Sequence, residues 1–168
     1  GIAQRILSTY PAEEDKDVRA ALSTYISDSS FQVTSRLVAR ASSTKQKKTF
    51  QYFFTRVAPK GLGKTMGLGA YHSAEISYAF DNLEGNGLTG PQPKPEPWDA
   101  TLAKMMSEAW VRFARTGNPN GGALTPWPAF EPKSEAYLEF GDEIRQGAKL
   151  RPRQLDFIEE LTVLLRKR

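Results

Sequence analysis

The sequence predicts an α/β fold that does not close on itself, and three observations lead there. About four amphipathic helical patterns stand beside only two segments with strand character. The first strand segment, TFQYFFTRV from Thr49 to Val57, is apolar on both faces because Phe53 and Phe54 are adjacent. A strand of that kind belongs inside a sheet, with helices over each face and neighbours along both edges. At 168 residues with 39% apolar and 11% aromatic content, the chain is large enough for one packed domain. It therefore reads as part of a larger sheet protein.

The elements follow in order. After Tyr10-Pro11, the acids Glu13, Glu14 and Asp15 precede Val18, Ala21, Leu22, Tyr25 and Ile26, the spacing of one buried helical face with acids at its positive end. Asp28 is placed to cap a second helix, antiparallel to the first, with Phe31, Val33, Leu37, Val38 and Ala41 inward and a polar loop from Ser42 to Lys48 at its end. The two-faced strand comes next. Pro59, Gly61, Gly63, Gly67 and Gly69 then mark a long loop. The stretch 81–97 holds three glycines and four prolines in 17 residues and reads as a surface linker. Asp99 caps a strong helix carrying Leu102, Met105, Met106, Ala109, Trp110 and Phe113, which Gly117 and Pro119 stop. A short strand from Ala136 (AYLEF) precedes a terminal helix with Leu155, Ile158, Leu161, Leu164 and Leu165 inward.

Composition narrows the chemistry. Without cysteine there is no disulfide, thiolate metal site or cysteine nucleophile. A single histidine rules out multi-histidine metal sites. The net charge of +4 comes from scattered Lys and Arg with clusters at Lys45–Lys48 and Arg166–Arg168, neither interleaved with aromatics; both read as solvated surface rather than a nucleic-acid platform. No apolar run approaches the ~20 residues that span a bilayer, and Gly1 opens no signal-peptide pattern. Localisation stays open between the cytoplasm and a secreted or periplasmic destination.

Three stretches are candidate sites. APKGLGKT, Ala58–Thr65, follows a strand and nearly fits a phosphate-cradling loop, but glycines at 67 and 69 discourage the helix that loop requires. GNGLTG, Gly85–Gly90, matches a dinucleotide pattern in form yet follows no strand and enters a proline run. The third is His72, the only histidine, on the loop between the two-faced strand and a short helix. General acid/base catalysis and a structural hydrogen bond are both open to it. Glu75, three residues on, would lie one turn further along the same strip if SAEISYAF is helical; an acid at a helix N-terminus is the simpler reading. Met66, Leu68 and Tyr71 are the apolar candidates for a pocket on this loop, though loop packing accounts for them equally well. No G-x-S-x-G elbow occurs, so His72 has no serine partner within these residues.

The motifs ISDSSF (Ile26–Phe31), YFFTRVAP, LGAYHSAEISYAF, MMSEAWVRFARTGNPNG and WPAF (Trp127–Phe130), in that order, resemble the C-terminal portion of the type-B carboxylesterases, the bacterial para-nitrobenzyl esterase branch above all. The resemblance implies an α/β-hydrolase fold, with 1–168 as the C-terminal part of one domain and 81–97 a linker within it. It implies that His72 is the general base of a catalytic triad, with Glu75 at a recurrent supporting position and no cofactor. Ser73 stands where the family usually has glycine. The nucleophile, the triad acid and the oxyanion glycines would precede Gly1, so the chain is expected to be the C-terminal chain of a nicked serine esterase, or a fragment of one. Its partners would be that N-terminal segment and a small-molecule ester. A non-catalytic hydrolase-like interaction module is the alternative, with a P-loop-like nucleotide binder at Ala58–Thr65 ranked behind it.

Overall fold

The computed structural model describes residues 1–45, 48–84, 86–87, 90–91 and 94–166. In chain order the helices are α1 (Ile2–Thr9), α2 (Asp15–Ser27), α3 (Val33–Lys45), α4 (Leu62–Thr65), α5 (Ile76–Ala79), α6 (Pro97–Thr116) and α7 (Pro152–Arg166). The strands are β1 (Tyr52–Phe54), β2 (Asn86–Gly87), β3 (Gly90–Pro91), β4 (Ala136–Phe140) and β5 (Ile144–Ala148). The chain divides into two compact units.

The first unit comprises Gly1–Lys47, Glu131–Glu135 and Lys149–Arg168. Its core is Tyr10, Val33, Phe157, Ile158 and Leu161, with Ile6, Ala21 and Tyr25 packed against them. Asp28 does not cap a second, antiparallel helix. A π-helical stretch, Asp28–Gln32, joins α2 to α3 as one continuous helical run. The reason lies in the carboxylate, which is buried and turned away from the helix's own amides: Tyr10 donates its hydroxyl to Asp28 Oδ2 at 3.1 Å, and Arg151 Nη2 pairs with Oδ1 at 2.5 Å. Burial nonetheless lifts the Asp28 pKa above its ordinary value, against the pull of Arg151 and Tyr10.

The inward positions differ from the periodicity as well. On α2, Val18, Leu22 and Ile26 stay 50%, 54% and 48% exposed, while Ala21 and Tyr25 face the core. On α3 the buried residues are Val33, Arg36 and Ala39 rather than Leu37, Val38 and Ala41, and the helix runs on to Lys45 through most of the expected polar loop. Arg36 is buried because it has a buried partner. Its Nε reaches both Glu135 oxygens at 3.0 Å and its Nη1 reaches Asp156 Oδ1 at 2.7 Å, while Arg40 also pairs with Glu135. Lys45 and Lys48 are exposed; Gln46 and Lys47 lie outside the described residues, as do Lys167, Arg168 and the Leu165 side chain. On α7, Leu155, Ile158 and Leu161 are buried as expected, and Leu164 is exposed.

The second unit comprises Lys48–Phe130 and Ala136–Ala148. Its three-stranded sheet has the order β1-β4-β5, with β1 parallel to β4 in the register Tyr52↔Leu138 to Phe54↔Phe140. β5, absent from the sequence expectation, pairs antiparallel with β4; Arg145 stands opposite Glu139 and donates to it at 2.9 Å. The edge of β1 away from β4 carries no strand among the described residues. Helix α6 lays Leu102, Ala103, Met106 and Ala109 onto Leu138, Phe140 and Trp127. Tyr52, Trp110, Trp127 and Phe140 stack edge-on or tilted, with ring centroids between 5.1 and 6.4 Å, pairs worth about 0.5–1.5 kcal/mol each beyond the area they bury. Asn120 brackets Trp127, accepting its backbone N–H at 2.6 Å and donating to its carbonyl at 2.9 Å.

The cap of α6 is Glu96, with Pro97 in the first turn and Asp99 at the third helical position completing a reciprocal capping box. Asp99 is thus drawn inside the helix it was expected to precede. Gly117 ends α6 at φ 69°, a left-handed conformation that glycine adopts without penalty. Within 81–97, β2 pairs with β3, while Gly85, Leu88, Thr89, Gln92 and Pro93 lie outside the described residues, and with them half of the GNGLTG motif.

The buried charge of Glu135 sets a test. Glu135→Ala leaves Arg36 without its closest buried partner and should lower stability by about 3 kcal/mol. The exposed Leu164→Ala should cost less than about 1 kcal/mol. Urea unfolding followed by far-ultraviolet circular dichroism compares the two.

Candidate active site

The segment between Arg56 and Tyr78 carries His72, and its path is fixed at both ends and in the middle. At the start, the N–H groups of Thr55 and Arg56 both donate to the Phe140 carbonyl, at 2.8 and 3.2 Å, tying the end of β1 to β4. In the middle, the Gly69 N–H donates to the Gly63 carbonyl at 2.9 Å. Gly63 is buried here, and a Cβ on it would come within 2.2 Å of the Gly69 carbonyl oxygen. Only glycine permits that approach.

At the far end, Tyr78 is the buried residue of α5. Its hydroxyl donates to Asp99 Oδ1 at 2.8 Å, and Arg56 Nε donates to the same oxygen at 2.7 Å. Asp99 Oδ2 accepts the Glu96 N–H at 3.1 Å. Burial on its own would raise the Asp99 pKa; the hydrogen bonds from Arg56 and Tyr78 outweigh it and hold the carboxyl below its ordinary value. The hydrogen bond to Asp99 raises the Arg56 pKa, and burial followed by the Asp99 hydrogen bond raises that of Tyr78.

His72 is exposed, at the head of the turn 72–75. The helical strip that would set Glu75 one turn beyond it is not formed, because α5 begins only at Ile76 and Ser73 takes φ 76°. Glu75 caps α5 and is half-buried. Burial, and after it the negative charge of Glu75, raises the pKa of Tyr52 on β1. Tyr71 lines a cavity of about 80 Å³ together with Arg56, Leu62, Ser77 and Tyr78. Met66 and Leu68 are exposed and stand outside that lining. The sequence reading missed the Arg56–Asp99–Tyr78 cluster; an Arg just after a strand and a Tyr in a short helix give no periodic signal.

The phosphate-loop reading of Ala58–Thr65 meets used-up donors. The Gly61 N–H goes to Ala58, the N–H groups of Lys64 and Thr65 both go to the Gly61 carbonyl, and the Thr65 hydroxyl follows them at 3.2 Å. The helix that results is only Leu62–Thr65. Amides spent inside a single turn are not aimed at an anion. Among the described residues no group of three or more His, Cys, Asp or Glu side chains is placed to hold a metal ion, and no helix is long and apolar enough to cross a membrane.

Two outcomes follow. Ser73→Gly should relieve the left-handed backbone and raise stability by about 0.5–1 kcal/mol, whereas the β-branched Ser73→Val should lower it by about 1 kcal/mol or more; thermal melts measure both. Because Asp99 ionises more readily in the folded chain, its contribution is complete above 3.8, its ordinary value, and is lost as pH falls through the lower folded value. Tryptophan-monitored stability should therefore drop below that pH. Asp99→Asn should flatten the slope without abolishing it, since Glu139 shifts in the same direction.

The model of the carboxylesterase family matches residues 2–158. Fumonisin B1 esterase of Sphingopyxis macrogoltabida is 33% identical over 84% of this chain, which spans 26% of that protein's length. Among solved structures, a Geobacillus stearothermophilus carboxylesterase superposes with a TM-score of 0.52 at 28% identity, covering 64% of this chain and 21% of that one. A PNB esterase superposes with a TM-score of 0.52 at 23% identity, over 65% and 21%; it shares the α/β-hydrolase fold. A match that runs from the first helix into the last, over a sheet, loop and capped helix in this order, means that the chain belongs to the carboxylesterase family.

Proposed function

We propose that these 168 residues are the C-terminal part of one α/β-hydrolase domain and supply the general base, His72, to a serine carboxylic-ester hydrolase. The observation that carries this reading is the placement of the chain's one histidine. In a member of the carboxylesterase family it stands exposed on a loop anchored between the end of a parallel strand and a short helix. Loops at the ends of parallel strands are where α/β sheets present reacting side chains.

In the reaction, the imidazole takes the proton from a serine hydroxyl as that oxygen attacks the ester carbonyl, then gives it to the departing alcohol, leaving an acyl-enzyme. It next takes a proton from water, whose oxygen attacks the acyl carbon, and returns that proton to the serine. The serine, the acid that orients the imidazole and the amides that hold the oxyanion belong to the segment that completes the domain. The chain spans about a quarter of the length of its fumonisin-esterase relative, which leaves room for all three. The Pro59–Tyr71 loop, with Met66, Leu68 and Tyr71, would border the ester, and Glu75 would support the loop from the start of α5.

The full-length protein should hydrolyse para-nitrophenyl acetate and be labelled on one serine by a fluorophosphonate. His72→Gln should lower kcat by at least about three powers of ten. Retention of activity within about tenfold of the parent would remove His72 from the mechanism.

A further inference from the structure

The segment bearing His72 begins beside Arg56 and ends beside Tyr78, and both of those side chains terminate on one oxygen. Arg56 Nε lies 2.7 Å and the Tyr78 hydroxyl 2.8 Å from Asp99 Oδ1. Asp99 is itself immobile: it is 2% exposed, belongs to the first turn of the 20-residue helix α6, and holds the Glu96 N–H through its other oxygen. A loop whose ends meet at one fixed acceptor has already lost most of its closure entropy before anything binds to it. The short helix α5, four residues long, has Tyr78 as its buried side chain, so this phenol ties α5 and the turn 72–75 that precedes it to Asp99.

Resting on the assignment of His72 as general base, we infer that Asp99 is a positioning residue for catalysis: through its shared hydrogen bonds to Arg56 and Tyr78 it holds the His72 loop in register for the reaction. Asp99 acts on the imidazole only through the path of the chain. The cluster is also shielded from rearrangement. Arg56 Nη1 is engaged by Asp142 at 2.6 Å, and the Arg56 N–H is bound to the Phe140 carbonyl. Loss of the Tyr78 hydroxyl releases the far end of the loop from Asp99, while the Arg56 end stays tied to the Phe140 carbonyl.

The test uses the full-length protein with two variants. Tyr78→Phe removes one hydroxyl and no volume; Asp99→Asn removes the charge. Both should lower kcat, per site titrated with a fluorophosphonate and well below the melting temperature, by between about tenfold and a hundredfold with KM nearly unchanged, the signature of a misplaced reacting group. The Cε1–H nuclear magnetic resonance signal of His72, assigned in the full-length protein by its loss in His72→Gln, should move or broaden in both variants. A merely stabilising cluster would lower the melting temperature and leave rate and signal alone. An unchanged signal, or a kcat within about twofold of the parent, overturns the inference. Should Asp99→Asn not fold, Tyr78→Phe decides by itself. If the parent hydrolyses no ester, the general-base assignment falls separately, and the His72 signal alone decides whether the clamp sets the loop.

Discussion

The second unit is organised around a carboxylate that has been taken out of water. A buried Asp is costly unless its charge is answered, and Asp99 is answered three times: by a guanidinium, a phenol and a backbone amide. Each charge-assisted bond is worth about 1.5–3 kcal/mol net, so the site is stable only with all partners in place. That condition fixes where α6 begins, where β1 must end and how α5 lies, since the three donors come from those elements. Its helix role and its clamp role are one geometry, because the third helical position is where a side chain can reach back to the capping amide and still point at neighbours.

The first unit solves the same problem twice. Glu135 lies buried between Arg36 and Arg40, and Asp28 lies buried beside Tyr10 and Arg151. The two carboxylates shape the chain differently. Glu135 sits at φ 47°, a conformation that a non-glycine residue keeps only when its surroundings over-determine it, and the paired arginines supply that constraint. Asp28 bends no backbone out of the helical region; it widens the turn, and the π-helical stretch lets its side chain leave the helix axis toward Arg151.

Periodicity located α2, α3, α6 and α7 in the sequence and passed over α1, and it could not say what covers them. The pattern Val18, Leu22, Ile26 is a true apolar stripe on a true helix, yet these side chains are exposed, while Ala21 and Tyr25 on the neighbouring stripe reach the core. A period reports which residues share a face; burial depends on the partner of that face. The same limit hid β5, whose IRQGA lacks alternation and is held by its hairpin partner, with Gly147 taking the position beneath the Tyr137 ring. His72 was legible for the opposite reason. It is chemically unique in the chain, and the glycines before it announce the loop without any knowledge of packing. The Asp99 cluster was not, because its members lie 21 and 43 residues apart and nothing local pairs them.

Ser73 joins these strands of reasoning. The resemblance expects glycine there, and the backbone gives the cause: φ at 76° is a left-handed conformation that glycine adopts freely and serine does not. A serine that stays in it must be held from outside, by a cost on the order of 1–2 kcal/mol. The turn it belongs to carries a 3.0 Å bond from the Ala74 N–H to the Tyr71 carbonyl and a 3.2 Å bond from the Ile76 N–H to the Ser73 carbonyl. One helix away, Tyr78 is bound to Asp99 and Asp99 to Arg56. Ser73 thus lies on a stretch of chain tied before it, by the Gly69 N–H on the Gly63 carbonyl, and after it, by the Tyr78 hydroxyl on Asp99.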